Sequence, residues 1–208
     1  MYYAKDYRMA AWTKLSDNNW STAVVAYLLY TLLMQVAGCF GIAALLFNGV
    51  LTVGMSVIML QISRQGISKI EHVFDGFNNG FGNNIVAGLL VQLFVFLWSL
   101  LLIVPGIVKG YAYAMTYHIL ADDPDLAPTD AIRTSEEMMA GNKWRLFCLD
   151  CSFIGWYLLS LLTLGILGFW ITPYHMLART EFYESIKPRP VWQDDDFIGG
   201  MADGNAQL

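Results

Sequence analysis

Three apolar stretches, residues 20–62, 84–121 and 144–178, dominate the chain, and each is about twice as long as one bilayer crossing requires. A spanning helix needs ~20 residues. Each stretch holds roughly 35 to 43, so each reads as two helices joined by a tight turn. Breakers fall where the turns belong: Gly38 and Gly41, then Pro105 and Gly106, then Gly165 and Gly168. Proline removes a helix donor and glycine opens a turn at low steric cost. Pro173 is a further breaker, inside the last arm. The expected fold is an all-α membrane protein of about six transmembrane helices, arranged as three short hairpins (about 20–62, 84–121 and 144–184). Together they make one transmembrane domain over residues 1–186.

Charge placement supports six crossings. Of twelve Lys and Arg, Lys5, Arg8 and Lys14 precede the first hairpin, and Arg64 and Lys69 lie between the first and second. Arg133, Lys143 and Arg145 lie between the second and third, and Arg179, Lys187 and Arg189 follow. Lys109 alone lies near a turn. With six crossings nearly every charge is on one side, and the positive-inside rule makes that side the cytoplasm, with both termini there. The start of the chain does not read as a cleaved signal, because residues 1–19 are long and charged and a long apolar run follows. Residues 187–208, with their prolines, glycines and acidic cluster, read as a disordered acidic cytoplasmic tail.

The stretches resemble one another. Asn18-Asn19-Trp20, Asn83-Asn84 and Asn142-Lys143-Trp144 open them, with anchors at Trp20, Asn84 and Trp144, roughly 60–64 residues apart. Twenty-one residues on from each lie Gly41, Pro105 and Gly165. That is about 31 Å of helix, one hydrocarbon thickness. An amphipathic segment precedes each anchor, with Tyr7 and Ala11 in the first, Phe74, Phe77 and Phe81 in the second, and Ile132 and Ser135 in the third. These segments suit the membrane interface, and the pattern reads as an internal threefold repeat.

Composition narrows the function classes. The chain is 56% apolar and only 14% charged, against roughly 25% charge in soluble domains. A net charge of −5 and the lack of a basic stripe argue against nucleic acid as a partner. No phosphate loop, His-Glu-x-x-His or nucleophile elbow is present, so a non-enzymatic role without cofactor or metal is expected. Cys148 and Cys151 with His118 form at most a weak metal pattern. Asp122-Asp123-Pro124-Asp125 reads as a solvated turn. Two charges inside the apolar stretches are the candidate intramembrane functional residues, Lys109 and Asp150. Lys109 reads either as a cation snorkelling to headgroups or as one lining a cavity. Asp150 reads as paired locally, with Arg145 or a backbone group, or as part of an ion relay. The two are placed at different depths.

Several strings carry a family resemblance: Phe74-Asp75-Gly76-Phe77, Leu97-Trp98-Ser99-Leu100 running on to Pro105-Gly106-Ile107, Ile119-Leu120-Ala121-Asp122-Asp123-Pro124, Gly141-Asn142-Lys143-Trp144-Arg145-Leu146-Phe147 and Ser152-Phe153-Ile154-Gly155-Trp156. Together they resemble the bacterial membrane family known as domain of unknown function 975, over roughly residues 12–186. That family looks loosely related to the membrane domain beside some glycerophosphodiester phosphodiesterases. The resemblance implies a bacterial plasma membrane protein and carries over no catalytic residues. The leading expectation is a scaffold or accessory protein that binds membrane lipids, a protein partner or a second copy of itself. The alternative is a small transporter or channel for an ion or small solute, which calls for a cavity reaching mid-membrane with Lys109, Gln35 or Gln92 facing it.

Overall fold

A computed structural model describes residues 4–16, 19–39, 42–66, 68–78, 80–101, 103–163 and 165–187. Among these residues the chain is helical and has no strand. The helices are α1 (Ala4–Ser16), α2 (Trp20–Cys39), α3 (Ile42–Gln65), a short 3₁₀ turn (Ile70–Phe74) leading into α4 (Asp75–Asn78), α5 (Phe81–Leu101), α6 (Ile103–Ala112), α7 (Thr116–Asp122), α8 (Pro128–Met138), α9 (Lys143–Leu162) and α10 (Gly168–Ile186). Four segments are long and apolar enough to cross a membrane: Trp20–Gly38, Leu46–Gln65, Phe81–Leu100 and Lys143–Leu162. α10 has comparable length, but His175, Arg179, Glu181 and Glu184 make it more polar.

α3 is the central helix. Its apolar span is 67% buried, against 11% for that of α2 and 22% for those of α5 and α9. The outer three therefore turn apolar faces outward, where lipid rather than water is the solvent that suits them. Met55, Ile58, Met59 and Ile62 of α3 are buried with Leu120, Leu177 and Phe182. Close approach at α3 depends on glycine. A Cβ on Gly54 would lie 2.0 Å from the Val73 carbonyl oxygen. One on Gly49 would lie 2.4 Å from the Asn84 carbonyl oxygen and 2.9 Å from Gly88 Cα.

The three long helices α2, α5 and α9 start at or within three residues of the sequence anchors. Each anchor asparagine donates its side-chain amide to a carbonyl of the preceding amphipathic segment: Asn19 to Lys14 (2.9 Å), Asn84 to Gly76 (2.9 Å) and Asn142 to Met138 (3.0 Å). α1 buries Tyr7, Ala11 and Leu15, one per turn, and packs against α9 and α10.

The breakers behave differently from expectation in several places. Pro105 does not mark a turn: α5 ends at Leu101 and α6 begins at Ile103, so Pro105 sits in the first turn of α6, where no intrahelical donor is missed. Gly106 instead lets α6 close onto α5, since a Cβ there would meet Ser99 Cα at 2.8 Å. Pro173 lies inside α10 without ending it. Gly165 is the turn residue expected, with φ 85° and its amide bonded to the Ser160 carbonyl at 2.8 Å. Gly41 lies outside the described residues.

The second arm of the middle stretch is two helices rather than one. α6 stops at Ala112 and α7 starts at Thr116, with a turn over residues 113–115. Ser135 of α8 fills this gap. Its hydroxyl donates to the Ala112 carbonyl (2.8 Å) and accepts from the Met115 amide (3.2 Å). The backbone groups freed by the break are thus satisfied inside the protein.

Candidate functional site

Asp150, on α9, is the centre of a polar cluster that faces α10 and α6. Arg179 grips it bidentately, through Nε to Oδ1 at 2.9 Å and through Nη2 to Oδ2. His175 Nε2 bonds Oδ1 at 2.8 Å, and the Tyr111 hydroxyl donates to Oδ2 at 3.0 Å. His175 and Arg179 are four residues apart and so share a face of α10. The carboxylate only accepts, so His175 Nε2 donates to it, and Nδ1 is hydrogen-bonded to the Tyr157 hydroxyl 2.8 Å away. The imidazole also stacks on Phe153, with centroids 4.4 Å apart. Asp150 is therefore held by the Arg179 guanidinium, the His175 ring N–H and the Tyr111 hydroxyl. Both imidazole nitrogens are occupied, and no serine or cysteine nucleophile is bonded to the ring.

Arg145, the partner expected from sequence, points elsewhere. It bonds Asn142 (2.8 Å) and the Tyr7 hydroxyl (2.5 Å) and lies over the Phe182 ring. Lys109 and Asp150 have separate partners. Lys109 Nζ pairs with Glu136 of α8 at 2.5 Å and lies over the Trp98 and Tyr113 rings. Glu136 and Arg179 were not legible as partners, because the charge pattern assigns both to the cytoplasmic side. His118 bonds Thr180 (3.1 Å), and among the described residues no three His, Cys, Asp or Glu side chains converge on one point.

Beside the Asp150 cluster lies a cavity of about 500 Å³ between α3, α5, α6, α7 and α10. Its lip is formed by Ser99 and Ile107, both exposed. Its floor includes Met55, Met59 and Thr180, all buried. Arg179, Tyr111, Tyr117 and His118, with the hydroxyl residues Thr52 and Ser56, add polar groups to walls that also carry Val91, Val95 and Met176. Lys109, Gln35 and Gln92 are not among the lining residues.

Beyond the floor the ends of α3, α7 and α10 are tied together. Asp122 accepts from Arg64 (2.9 Å), the Tyr183 hydroxyl (2.7 Å) and Lys187 (2.5 Å), while Arg64 also holds Glu184 (2.6 Å). Burial alone would raise the Asp122 pKa. The bonds from Arg64, Lys187 and Tyr183 outweigh it and hold the carboxyl below its ordinary value. Asp122 is thus not part of a solvated turn, and Lys187 is docked rather than the first residue of a tail.

Comparison with curated proteins and with solved structures gives no match. Residues 100–190 match the family described as "Protein of unknown function (DUF975)". The match covers α6 to α10, the Asp150 cluster and Asp122, Tyr183, Glu184 and Lys187 of the cap, but not Arg64, residues 97–99 or the string at residues 74–77. The family whose model matches residues 100–190 is the one that the sequence strings resemble.

Proposed function

We propose that this chain is a non-enzymatic bacterial plasma membrane protein of six crossings, with cytoplasmic termini, that binds a membrane lipid in its central cavity as a scaffold or accessory protein. The cavity itself carries the proposal. Its volume, about 500 Å³, is in the range that admits an organic ligand. An exposed lip at Ser99 and Ile107 lies in an apolar surround, so a ligand arriving from the bilayer crosses no water. A polar group reaching the floor meets Arg179 and Thr180, while an attached chain trails out past Ile107. The ends of α3, α7 and α10, gathered at one cap, support the one-sided charge arrangement. The thrice-repeated asparagine bond supports the threefold repeat.

Native mass spectrometry tests the lipid reading. Gly110 lines the cavity and has nothing within 4 Å of an added Cβ, so Gly110→Leu fills the space without a clash. Wild type should carry one more lipid-mass adduct in mild detergent than Gly110→Leu does, with the thermal midpoint unchanged by the substitution. An adduct equally abundant in both, or absent from wild type, counts against the reading. A second reading, a small transporter, is favoured by the ion-paired cap beyond the cavity floor, which would act as a closed gate. Solute flux into proteoliposomes, raised by Asp122→Asn, would support it.

A further inference from the structure

Four of the seven tryptophans, Trp12, Trp20, Trp156 and Trp170, line a single cleft of about 670 Å³ where α1 and α2 meet α9 and α10. Trp12, Trp156 and Trp170 are 55%, 43% and 49% exposed. Tyr174 lies among them, with its ring centroid 5.8 Å from that of Trp12 and 6.4 Å from that of Trp20. Arg8 is the charged residue of the lining. Its guanidinium lies 5.4 Å over the Phe153 ring, and its Nε is buried without a hydrogen-bond partner. Among the described residues no carboxylate pairs with it. Three other basic residues of this region are engaged elsewhere: Lys14 with Glu181, Arg145 with Tyr7 and Arg179 with Asp150.

We propose that this cleft binds one anionic glycerophospholipid, with the phosphate on Arg8 and an acyl chain lying along Trp156 and Trp170 toward Leu167. An unpaired guanidinium beside apolar walls draws a counter-charge, and its fork matches phosphate geometry. Indole rings offer the broad apolar faces that a chain covers. From Tyr174 to Leu167 is seven residues, about 10 Å of helix, enough to guide the upper part of a chain. Aromatic walls alone would also suit a quaternary ammonium, but Arg8 repels that cation, so the selectivity runs toward net-negative headgroups. A water-soluble phosphate would leave the tryptophan faces uncovered. The site is separate from the central cavity: α10 turns Met176, Arg179 and Thr180 to the cavity, and Trp170, Ile171 and Tyr174 to the cleft.

The tryptophans themselves report occupancy. Phosphatidylglycerol with brominated acyl chains, titrated into the full-length protein in mild detergent, should quench their fluorescence saturably. Arg8→Gln should raise the half-saturation concentration about tenfold, the loss of one charge-assisted contact, and Arg8→Lys should restore most of it. Gly110→Leu should change nothing, which separates this site from the central cavity. If Arg8→Gln does not fold, the double variant Trp156→Leu/Trp170→Leu, which retains Arg8, should remove most of the saturable quenching. The proposal is overturned if Arg8→Gln binds like wild type, or if the double variant quenches as wild type does. It is also overturned if brominated phosphatidylcholine saturates the wild type equally, which would make the cleft ordinary annular surface. Competition by inorganic phosphate at millimolar concentration would show an ion site in place of a lipid site.

Discussion

At Ser135 one small hydroxyl closes two backbone groups on another helix, the Ala112 carbonyl and the Met115 amide. Removing it leaves both buried and unpaired. Ser135→Ala is expected to cost about 1–3 kcal/mol, seen as a lower thermal midpoint in detergent. A variant that melts with wild type would show that the break at residues 113–115 finds other partners. Asp150 and Arg179 make the complementary case. Asp150→Asn leaves a fixed positive charge facing a cluster that has lost its negative charge and one of its two acceptor oxygens, and should cost about 2–3 kcal/mol. The paired replacement Asp150→Leu/Arg179→Met should recover most of that in a thermal melt. If it is no more stable than Asp150→Asn, the cluster contributes more than local neutralisation. Asp150 was legible in the sequence because a charge in an apolar helix stands out. Its partner was not, because Arg179 is 29 residues away and pattern alone assigns it to the cytoplasmic flank.

The closest backbone approaches of α3 are set by glycines. Gly54 meets the carbonyl of Val73, and Gly49 faces Gly88. Gly54→Ala must push two backbones apart and should destabilise by about 1–3 kcal/mol. Gly155→Ala, in the middle of α9 with nothing within 4 Å, should be neutral or slightly stabilising. Equal melting of the two variants would mean that α3 is looser than its contacts imply. At this scale the sequence was informative about helix starts, since asparagine and tryptophan mark chemistry local to the start. Gly165 was legible as well, because a left-handed turn residue leaves a glycine. Pro105 and Pro173 misled, because a proline constrains only its own turn and the carbonyl four residues back. In the first turn of α6 that constraint is satisfied, and in α10 it is absorbed. Gly49, Gly54 and Gly88 make their close contacts within the chain.

The molecule as a whole is fastened at one end. Arg64 from α3, Asp122 from α7, and Tyr183, Glu184 and Lys187 from and just beyond α10 meet in one network, and Lys14 of α1 is tied nearby to Glu181. Segments separated by up to 167 residues in sequence are thereby held together, which charge counting anticipates as a side but not as a set of partners. The cap has a pH dependence whose sign follows from Asp122. Its folded pKa lies below its unfolded value, near 3.9. The stabilisation is therefore complete above about pH 4 and is lost as pH falls through the depressed folded value. Wild type in detergent should show a thermal midpoint that falls as pH drops below about 4. Asp122→Asn should melt lower at neutral pH, by about 1–2 kcal/mol, and show a shallower fall over the same window. The difference between the two curves isolates Asp122 from the other carboxylates, which titrate in both proteins. Parallel curves would place the acid sensitivity elsewhere and leave the three helix ends joined by packing alone. A cap that opens in that window while the Asp150 cluster persists would instead make the two polar centres separable units, one fastening the bundle's end and the other shaping the wall of its cavity.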